Sequence, residues 1–445
     1  MKIAFLVSRF PVLSEAFIVN QITGLLDRGH QVDIYALSGF SGEPTVHPDI
    51  EHYDLRSNVT YVPRLPDSLG VRILSGIPVG LRTAAGDLRL FLSALNVARY
   101  GKAAASLRLL HLASAFVDRP SYDIIHCQFG TCGLLGLALR NMGAIAGKLV
   151  TTFRGFDISE YPRRQGTAVY QPLFKQGDLF LTNCEFFRQR VIDLGGAADK
   201  VWVHGSSIDC ERFGLAASTL SAAQIEQGDT VRLLTVGRLT EKKGIEYGIR
   251  AVARLVSAGF QVRYHIVGEG PLRAELTQLI KAVGLEDCVY LLGSQPQPEI
   301  VAQLRQAHIF LAPCVTAQNG DQDAPVNTLK EAMATGLPVV STWHGGIPEL
   351  VEDGVSGYLV PERDAAAIAG KVADLIAHPE RWSPMGLAGR RKVLANYEIN
   401  HLSDELVRHY QPLLQGSPAA APEAVPAGAR PPHAFLKANS PRPTL

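Results

Sequence analysis

Short apolar runs alternate with helical stretches along most of the chain. The first run, KIAFLVS, has the length of a β-strand, and the next strand-like run is VDIYAL. Between them, one helix face is indicated by the spacing of Ala16, Phe17, Ile22, Leu25 and Leu26. Because two parallel strands need a crossover connection, usually a helix, this order predicts a βαβ unit and a parallel sheet.

The same alternation continues in two series of predicted strands. In the first series the strands fall at 123–127, 148–153 and 178–184. The second series contains the runs VRLLTVGRL, VRYHIVGEG, VYLLGS, IFLAPC and PVVST, again separated by helical stretches. The small, polar stretch LAASTLSAAQIEQGDT separates the two series and is typical of a linker. We therefore predict an α/β protein with two Rossmann-like, doubly wound domains.

The domain boundaries follow from these changes of pattern. We place the N-terminal domain at 1–213, the linker at 214–230 and the C-terminal domain at 231–397. A C-terminal helix is predicted at 398–415. The tail at 416–445 contains seven prolines and many alanines, a composition that predicts disorder.

Residues 64–120 interrupt the alternation with a helical pattern that contains no strand. They hold eight basic and three acidic residues. A basic helical surface suits anionic lipid or a phosphate-bearing acceptor, so a peripheral membrane contact is one interpretation. The other is a helical insertion with a solvated basic face.

The composition narrows the class of protein. The chain has 445 residues, 47% of them hydrophobic and 19% charged, as in ordinary globular proteins. Its net charge of +1 gives no electrostatic reason to expect a nucleic-acid partner. The six cysteines form no CxxC pair, which predicts reduced thiols rather than disulfides or a zinc site. The N-terminus enters a strand directly and no apolar run reaches 18 residues, so we expect a cytoplasmic protein without a signal peptide or membrane span.

Candidate ligand-binding residues follow the predicted strands of the second domain, where doubly wound sheets bind their ligands. In VGRLTEKKG, Arg238 leaves the strand and Lys243 precedes the next helix, so the two cations suit a di-anion such as a pyrophosphate. In GEGP, Gly268 and Gly270 would let the backbone approach a ligand, although a plain turn explains them equally well. The GxGxxG fingerprint of dinucleotide-binding proteins is absent.

A further candidate is the stretch DQDAPVNTLKEAMATGLPVV at 321–340. We predict a helix from Pro325 to Thr335 with Pro325 at its first position. The N–H groups of Val326 and Asn327 would then be unpaired and available to an anion.

Two carboxylates accompany this predicted helix. Asp323 lies at its N-terminus, and Glu331 lies about 160° around the helix from Met333, which marks the buried face. Amides for a diphosphate and carboxylates for sugar hydroxyls together suit a nucleotide-sugar. A capping aspartate and an exposed glutamate would explain the two residues as well.

The combined motifs resemble those of the retaining glycosyltransferases of family four. GRLTEKKG, GEGP, a carboxylate followed after seven residues by EAMATGLPVVST, and GGIPELV are similar to the second domain of that family. RFPVLSEAFIVNQI, HCQFG, TFRGFDIS and LFKQGDLFLTNC resemble its exopolysaccharide branch, which includes colanic-acid-type transferases. The resemblance extends from residue 1 to about residue 410. It implies the GT-B fold, in which two Rossmann-like domains face a cleft.

The resemblance also implies an activity and roles for individual residues. Such enzymes transfer a sugar from a UDP- or GDP-linked donor, a substrate rather than a cofactor, to a saccharide or lipid-linked saccharide acceptor. They need no metal, and the departing diphosphate assists deprotonation of the acceptor. Arg238 and Lys243 match the pair that contacts the diphosphate, and Glu331 matches the ribose ligand. Asp323 matches the glutamate that contacts the donor sugar near the reacting centre.

Three positions depart from the family pattern. Asp323 replaces a glutamate, Arg154 stands where a histidine usually contacts the donor sugar, and Gln128 replaces the second histidine of a strand-end motif whose first is His126. Asp323, Arg154 and His126 are therefore the candidate catalytic residues. The departures are explained either by family drift with retained activity or by pairing of Arg154 with the carboxylate of a uronic acid donor, since arginine forms bidentate ion pairs.

Other functions remain open on the sequence. The departures allow a catalytically silent relative with a binding or scaffolding role, and a sugar-nucleotide epimerase of the same fold is a further alternative. The DQD at 321–323 could also be the metal-binding DxD of a different transferase fold. His204, His265, His308 and His344 show no metal-ligand spacing, so we predict core or surface roles for them and no metal site.

Overall fold

The structure is a computed structural model, which describes residues 1–38, 47–63, 66, 68–117, 121–215, 224 and 228–415. The predicted tail at 416–445 lies outside the described residues, as do most of the predicted linker and residues 64, 65, 67 and 118–120 of the predicted helical insertion.

The N-terminal half of the chain builds a parallel sheet of seven strands in the order β3-β2-β1-β4-β5-β6-β7. The strands are β1 (Lys2–Arg9), β2 (Gln31–Ser38), β3 (Val59–Tyr61), β4 (Ile124–Gln128), β5 (Lys148–Phe153), β6 (Leu179–Thr182) and β7 (Val201–Val203). The helices are α1 (Ala16–Leu26), α2 (Asp49–His52), α3 (Leu69–Gly86), α4 (Leu88–Ala94), α5 (Val97–Tyr100), α6 (Lys102–Ala105), α7 (Arg108–Ala113), α8 (Gly130–Met142), α9 (Glu160–Gln165), α10 (Gln171–Gln176) and α11 (Glu185–Asp193).

The second half builds a parallel sheet of six strands in the order β10-β9-β8-β11-β12-β13. The strands are β8 (Val231–Val236), β9 (Val262–Val267), β10 (Val289–Gly293), β11 (Ile309–Ala312), β12 (Val339–Thr342) and β13 (Tyr358–Val360). The helices are α12 (Ile245–Ser257), α13 (Arg273–Ala282), α14 (Gln297–Gln306), α15 (Asn327–Ala334), α16 (Ile347–Leu350), α17 (Ala365–Ala377), α18 (Trp382–Tyr397) and α19 (Ile399–Gln415).

Two parallel, helix-flanked sheets confirm the predicted fold class. In each sheet the strand order reverses beside the first strand of that sheet, between β1 and β4 and between β8 and β11. Ligands of doubly wound proteins bind at the carboxyl ends of the strands on either side of such a reversal. The segments that follow β8 and β11 contain the predicted Lys243 and Asp323, so the topology brings these two side chains to one edge of the sheet.

Helix α19 returns from the second half of the chain to the first. Leu406 and Tyr410 are buried in the same apolar cluster as residues of β1 and α1. At the surface, Arg28 pairs with Asp404 at 2.6 Å. The predicted C-terminal helix is therefore present and stabilises the N-terminal sheet rather than the domain from which it emerges.

The part of the chain that the structure describes contains no helix both long and apolar enough to cross a membrane.

Candidate active site

A cluster of two lysines and two aspartates lies at the end of β8. Lys243 Nζ lies 2.7 Å from one carboxylate oxygen of Asp323, and Lys242 Nζ lies 3.2 Å from the other. Lys242 also pairs with Asp321 at 2.9 Å. Burial alone raises the pKa of Asp323, but the two ammonium groups outweigh it and hold that pKa well below its usual range. The cluster joins the predicted Lys243 and Asp323 with Asp321, which was considered only as part of a metal-binding DxD, and with Lys242, which sequence reasoning did not single out.

This pairing bears on the alternative interpretation of the DQD stretch. A metal-binding DxD needs carboxylate oxygens directed at a shared cation. Here the carboxylates of Asp321 and Asp323 are both directed at Lys242, whose ammonium group supplies the positive charge. The geometry favours pairing with lysine over coordination of a divalent metal.

Arg238, Gly268 and Gly270 lie in the neighbouring loops. Arg238 is exposed at the end of β8 and takes no part in the lysine–aspartate pairs. A Cβ atom at Gly268 would lie 2.0 Å from the backbone oxygen of Gly237, and one at Gly270 would lie 2.5 Å from that of Leu239. The two glycines therefore allow close packing of the loops after β8 and β9, as expected of a turn.

Helix α15 begins later than predicted. Its first residue is Asn327, and Val326 precedes it with extended backbone angles (φ −69°, ψ 129°), so the prediction of a helix from Pro325 was wrong. The segment before the helix is fixed by tertiary contacts, since the amide of Asp323 donates to His344 Nε2 at 3.0 Å. The amide of Leu329 already donates to the backbone oxygen of Val326. The amides that precede this first hydrogen bond of the helix are therefore those of Asn327 and Thr328, rather than those of Val326 and Asn327.

Glu331 faces a narrow cavity between the two halves of the chain. The lining residues come from α1, from residues 207–213 and from the starts of α14 and α15, among them Phe17, Asn20, Gln297 and Asn327. Burial raises the pKa of the Glu331 carboxyl to about 7. Within the described part of the chain, this carboxylate has no hydrogen-bond donor or cationic partner within ion-pair distance. The predicted position of Glu331, off the buried face and toward the cleft, is what the structure shows.

Lys330 precedes Glu331 and is fully buried. Its ammonium group donates to the backbone oxygen of Ser206 at 2.9 Å and lies 4.4 Å from the centre of the Tyr397 ring. Burial lowers the pKa of Lys330 to about 7. This lysine connects α15 to the segment that follows β7, and so fixes one wall of the cavity.

Arg154 and Gln128, two departures from the family pattern, bind each other directly. Arg154 Nε and Nη2 donate to Gln128 Oε1 at 3.2 and 3.0 Å, and Nη1 donates to Ser206 Oγ at 2.7 Å. The guanidinium also lies 4.1 Å from the centre of the Phe17 ring. All of its hydrogen bonds in the described residues go to neutral oxygen atoms, so its positive charge has no carboxylate in contact.

We expect Arg154 and Gln128 to be energetically coupled. Replacing either by histidine leaves buried polar atoms of the other without a partner, whereas the double variant removes both. The free energies of unfolding should therefore be non-additive by about 1–2 kcal/mol, measured by urea denaturation of the single and double variants. Pairing Gln128→His with Arg254→His, an exposed and distant site, should give an additive control. Additivity of the Arg154 and Gln128 substitutions would contradict direct coupling.

His126 is completely buried between the sheet and α19. One ring nitrogen lies 2.7 Å from Thr152 Oγ1, and the other lies 2.7 Å from the hydroxyl of Tyr410. Burial lowers the pKa of His126 well below its ordinary value. Both nitrogens are thus occupied, and the residue joins α19 to β4; its predicted catalytic role stays a prediction.

Contacts between the halves of the chain close the cleft beside this site. The Glu349 carboxylate accepts hydrogen bonds from the amides of Glu185 and Phe186, both at 2.8 Å, and so caps the N-terminus of α11. Ser159 Oγ donates to Asp321 at 3.3 Å. Glu349 lies in the GGIPELV motif, but its partner is 163 residues away, and the sequence alone gave no signal for the pair.

Two family models match this chain. The model described as "Glycosyl transferase 4-like domain" covers residues 14–205, and the one described as "Glycosyl transferases group 1" covers residues 230–378. Their ranges correspond to the N-terminal and C-terminal sheets.

Two named glycosyltransferases are similar to this chain over nearly their whole length. A putative colanic acid biosynthesis glycosyltransferase of Salmonella typhimurium, WcaL, is 37% identical over 91% of this chain and 98% of its own. The amylovoran biosynthesis glycosyltransferase AmsK of Erwinia amylovora is 37% identical over 88% of this chain and 95% of its own.

Solved structures show the same fold. HepE of Anabaena, determined in complex with UDP, superimposes with a TM-score of 0.66 over 92% of this chain and 98% of its own, at 19% sequence identity. At 19% identity the likeness shows the fold alone, which is two sheets around a cleft.

Proposed function

The chain belongs to the glycosyl transferases of group 1 and is a glycosyltransferase of the GT-B fold, and we propose that it moves a sugar from a UDP- or GDP-linked donor to a lipid-linked saccharide during exopolysaccharide synthesis. The acceptor class follows the relatives that are named for colanic acid and amylovoran biosynthesis. The proposed place of action is the inner face of the plasma membrane.

The observation that carries the proposal is the partnerless carboxylate of Glu331 in the cavity between the domains. A half-buried carboxylate without a protein donor is costly unless a ligand supplies donors, and the two hydroxyls of a ribose would do so. The amides of Asn327 and Thr328 at the start of α15 and the ammonium group of Lys243 in the segment after β8 would bind the diphosphate. We assign Glu331 to the ribose and these groups to the diphosphate.

In the proposed reaction the acceptor hydroxyl attacks the anomeric carbon on the face from which the diphosphate departs. The bond from that carbon to the diphosphate oxygen breaks, the bond to the acceptor oxygen forms, and the acceptor proton passes to the leaving diphosphate. Configuration is retained. The protein's contribution is to stabilise the negative charge that grows on the diphosphate, for which Asp323 holds Lys243 in position.

A donor panel tests this function. Purified enzyme with UDP- and GDP-linked hexoses and a membrane extract as acceptor should release nucleoside diphosphate from at least one donor, and Glu331→Ala should greatly reduce that release. Magnesium and manganese should be dispensable. Binding of a nucleotide-sugar without turnover of any donor would favour the silent interpretation and contradict the proposal.

The sugar of the donor is a separate question, to which Arg154 is relevant. Its guanidinium contacts neutral oxygen atoms alone within the described residues. A uronic acid would supply the missing carboxylate, so turnover of UDP-glucuronate should exceed that of UDP-glucose. A clear preference for UDP-glucose would exclude this role of Arg154.

The membrane contact that we propose involves a surface formed by residues 69–97. Helix α3 turns its small residues inward, since Gly76, Gly80 and Thr83 are buried. Its large apolar residues face outward, with Leu74 70% and Leu81 68% exposed. A helix that packs only against its own domain shows the opposite arrangement. Nine large apolar side chains are exposed on this surface: Leu69, Val71, Ile73, Leu74, Ile77, Leu81, Leu88, Leu92 and Val97.

The charge around this surface complements anionic lipid. Residues 68–117 contain six basic residues and one acidic residue, and five of the basic side chains are exposed: Arg82, Arg89, Arg99, Lys102 and Arg108. Apolar side chains beside exposed cations are the pattern of a helix that lies in the interface of an anionic membrane. A lipid-linked acceptor would be presented at that interface.

Removing two of the exposed leucines should weaken membrane binding. Leu74→Ser with Leu81→Ser is expected to lower partitioning onto phosphatidylglycerol-containing vesicles roughly thirtyfold, because each leucine contributes about 1 kcal/mol of apolar burial. Sedimentation with vesicles measures the change. Leu387→Ser with Leu394→Ser, on α18 and also partly exposed, is the matched control. Equal sedimentation of both double variants would contradict a docking role for 69–97.

A further inference from the structure

Three side chains form a second cluster between the carboxyl end of β7 and α19. His204 follows β7, and Glu405 and His409 lie one turn apart on α19. One Glu405 oxygen lies 3.2 Å from His204 Nδ1 and 3.3 Å from His409 Nε2. The three candidate ligand atoms all lie within 4.8 Å of one another. The spacing of the histidines predicted no metal site at His204, because 201 residues separate it from Glu405.

The distances within the cluster are compatible with a bound metal ion, and what distinguishes the group from a simple ion pair is its third ligand atom. Zinc binds imidazole nitrogen at about 2.0–2.1 Å and carboxylate oxygen at about 2.0–2.2 Å, so adjacent ligands of a tetrahedral ion lie about 3.3 Å apart. Both nitrogen-to-oxygen distances to Glu405 match that edge. By contrast, the buried His344 lies only 2.6 Å from Glu362, the separation of a direct charge-assisted hydrogen bond.

We propose that His204 Nδ1, Glu405 Oε1 and His409 Nε2 bind a zinc ion. Two imidazoles and one carboxylate are a ligand set that zinc accepts, with the fourth position left to water. Glu405 is 26% exposed and His409 12%, so water reaches the site from the side of α19, while His204 is buried beneath it.

The position of the site gives the ion a structural role. It fastens α19 to the segment after β7, and Tyr410, the next residue on the helix after His409, bonds His126 in the sheet. Ser206, two residues after His204, contacts both Arg154 and Lys330. Zinc therefore stabilises the return of α19 onto the N-terminal domain and the wall of the cleft. This inference does not depend on the proposed function, since the ligands lie outside the donor cavity.

Zinc binding to the tag-free, chelator-treated and dialysed chain tests the proposal. We expect titration calorimetry to give one saturable site per chain, zinc to raise the midpoint of thermal unfolding, and cobalt at the same site to give the visible absorption band of tetrahedral coordination. His409→Gln and Glu405→Gln should each lose the saturable site. Glutamine still offers an oxygen and an N–H in place of either side chain, which favours retention of the fold.

A matched control is present in the same chain. His378, the residue that follows α17, lies 3.3 Å from Asp374 one turn earlier, and the two belong to no three-ligand group within the described residues. His378→Gln should bind zinc as the wild type does. Circular dichroism of each variant shows whether a loss of zinc binding is accompanied by a loss of folded structure. If the wild type binds zinc no more tightly than His409→Gln, or if His378→Gln abolishes the site, the proposal is wrong.

Discussion

Asp323→Asn is expected to abolish sugar transfer and to destabilise the fold, whereas Asp323→Glu is expected to remain active. The carboxylate compensates the ammonium groups of Lys242 and Lys243, both of which have little exposure to solvent. Removing one member of a buried ion pair costs about 3–5 kcal/mol, because the remaining charge has lost its partner. Glutamate keeps that charge with one more methylene.

The free energy of unfolding and kcat/KM should both be measured for these variants. Asp321→Asn is the matched control, since Asp321 pairs with Lys242 but not with Lys243. We expect it to lose less stability and to retain transfer. Activity should fall by about a thousandfold or more in Asp323→Asn if the mispositioned Lys243 no longer stabilises the leaving diphosphate. An inactive but folded Asp323→Glu would contradict the assignment of this residue.

Glu331→Gln is expected to weaken binding of the donor nucleotide roughly ten- to a hundredfold and to remove the pH dependence of that binding. Burial raises the pKa of Glu331 to about 7, so the carboxyl is mostly protonated below that pH and ionised above it. The ionised form accepts stronger hydrogen bonds from the two ribose hydroxyls than the protonated form does. Affinity in the wild type should therefore rise as the pH is raised through 7 and then level off.

Titration calorimetry with UDP and GDP between about pH 6 and pH 8 measures this dependence. Lys330 also has a pKa lowered to about 7 by burial, but its loss of a proton removes a positive charge and would weaken the binding of an anion as the pH rises. The direction in which affinity changes with pH therefore distinguishes ionisation of Glu331 from deprotonation of Lys330. Glu352→Gln, at an exposed position, should leave both affinity and pH dependence unchanged. A pH profile that survives in Glu331→Gln would contradict the assignment.

Much of the fold could be read from the sequence because its strands are long, apolar and regularly spaced. The strand β5 at Lys148–Phe153 was predicted to the residue, and β8, β9 and β11 begin where their apolar runs begin. The strands β3, β7 and β13 were not predicted, since three residues are too few to show a period.

The start of α15 shows why local signals were insufficient near the site. A proline before a helical pattern normally marks the first turn, but Pro325 packs against Gly346, where a Cβ atom would lie 2.6 Å from its Cδ. Together with the bond from Asp323 to His344, this contact holds the segment extended up to Val326. Tertiary packing determined the boundary.

The positions of the candidate site residues were predicted in part, and their roles stay predictions. The order of the motifs along the chain predicted that Asp323, Lys243 and Glu331 lie near one another, because residues that follow parallel strands meet at one edge of the sheet. The pairing of Arg154 with Gln128, and the capping of α11 by Glu349, join residues far apart in the sequence. No spacing rule relates such residues. The outward direction of the leucines on α3 was also not predictable from the sequence, since an apolar stripe has the same spacing whether it faces a core or a membrane.

The structure of the enzyme bound to the nucleoside diphosphate of a donor that it uses would be the most direct test of the central claim. The ribose hydroxyls should lie within hydrogen-bond distance of the Glu331 carboxylate, and the diphosphate should contact the amides of Asn327 and Thr328 and the ammonium group of Lys243. A nucleotide bound at any other edge of the two sheets, with Glu331 left without a donor, would contradict the assignment of this cleft as the active site.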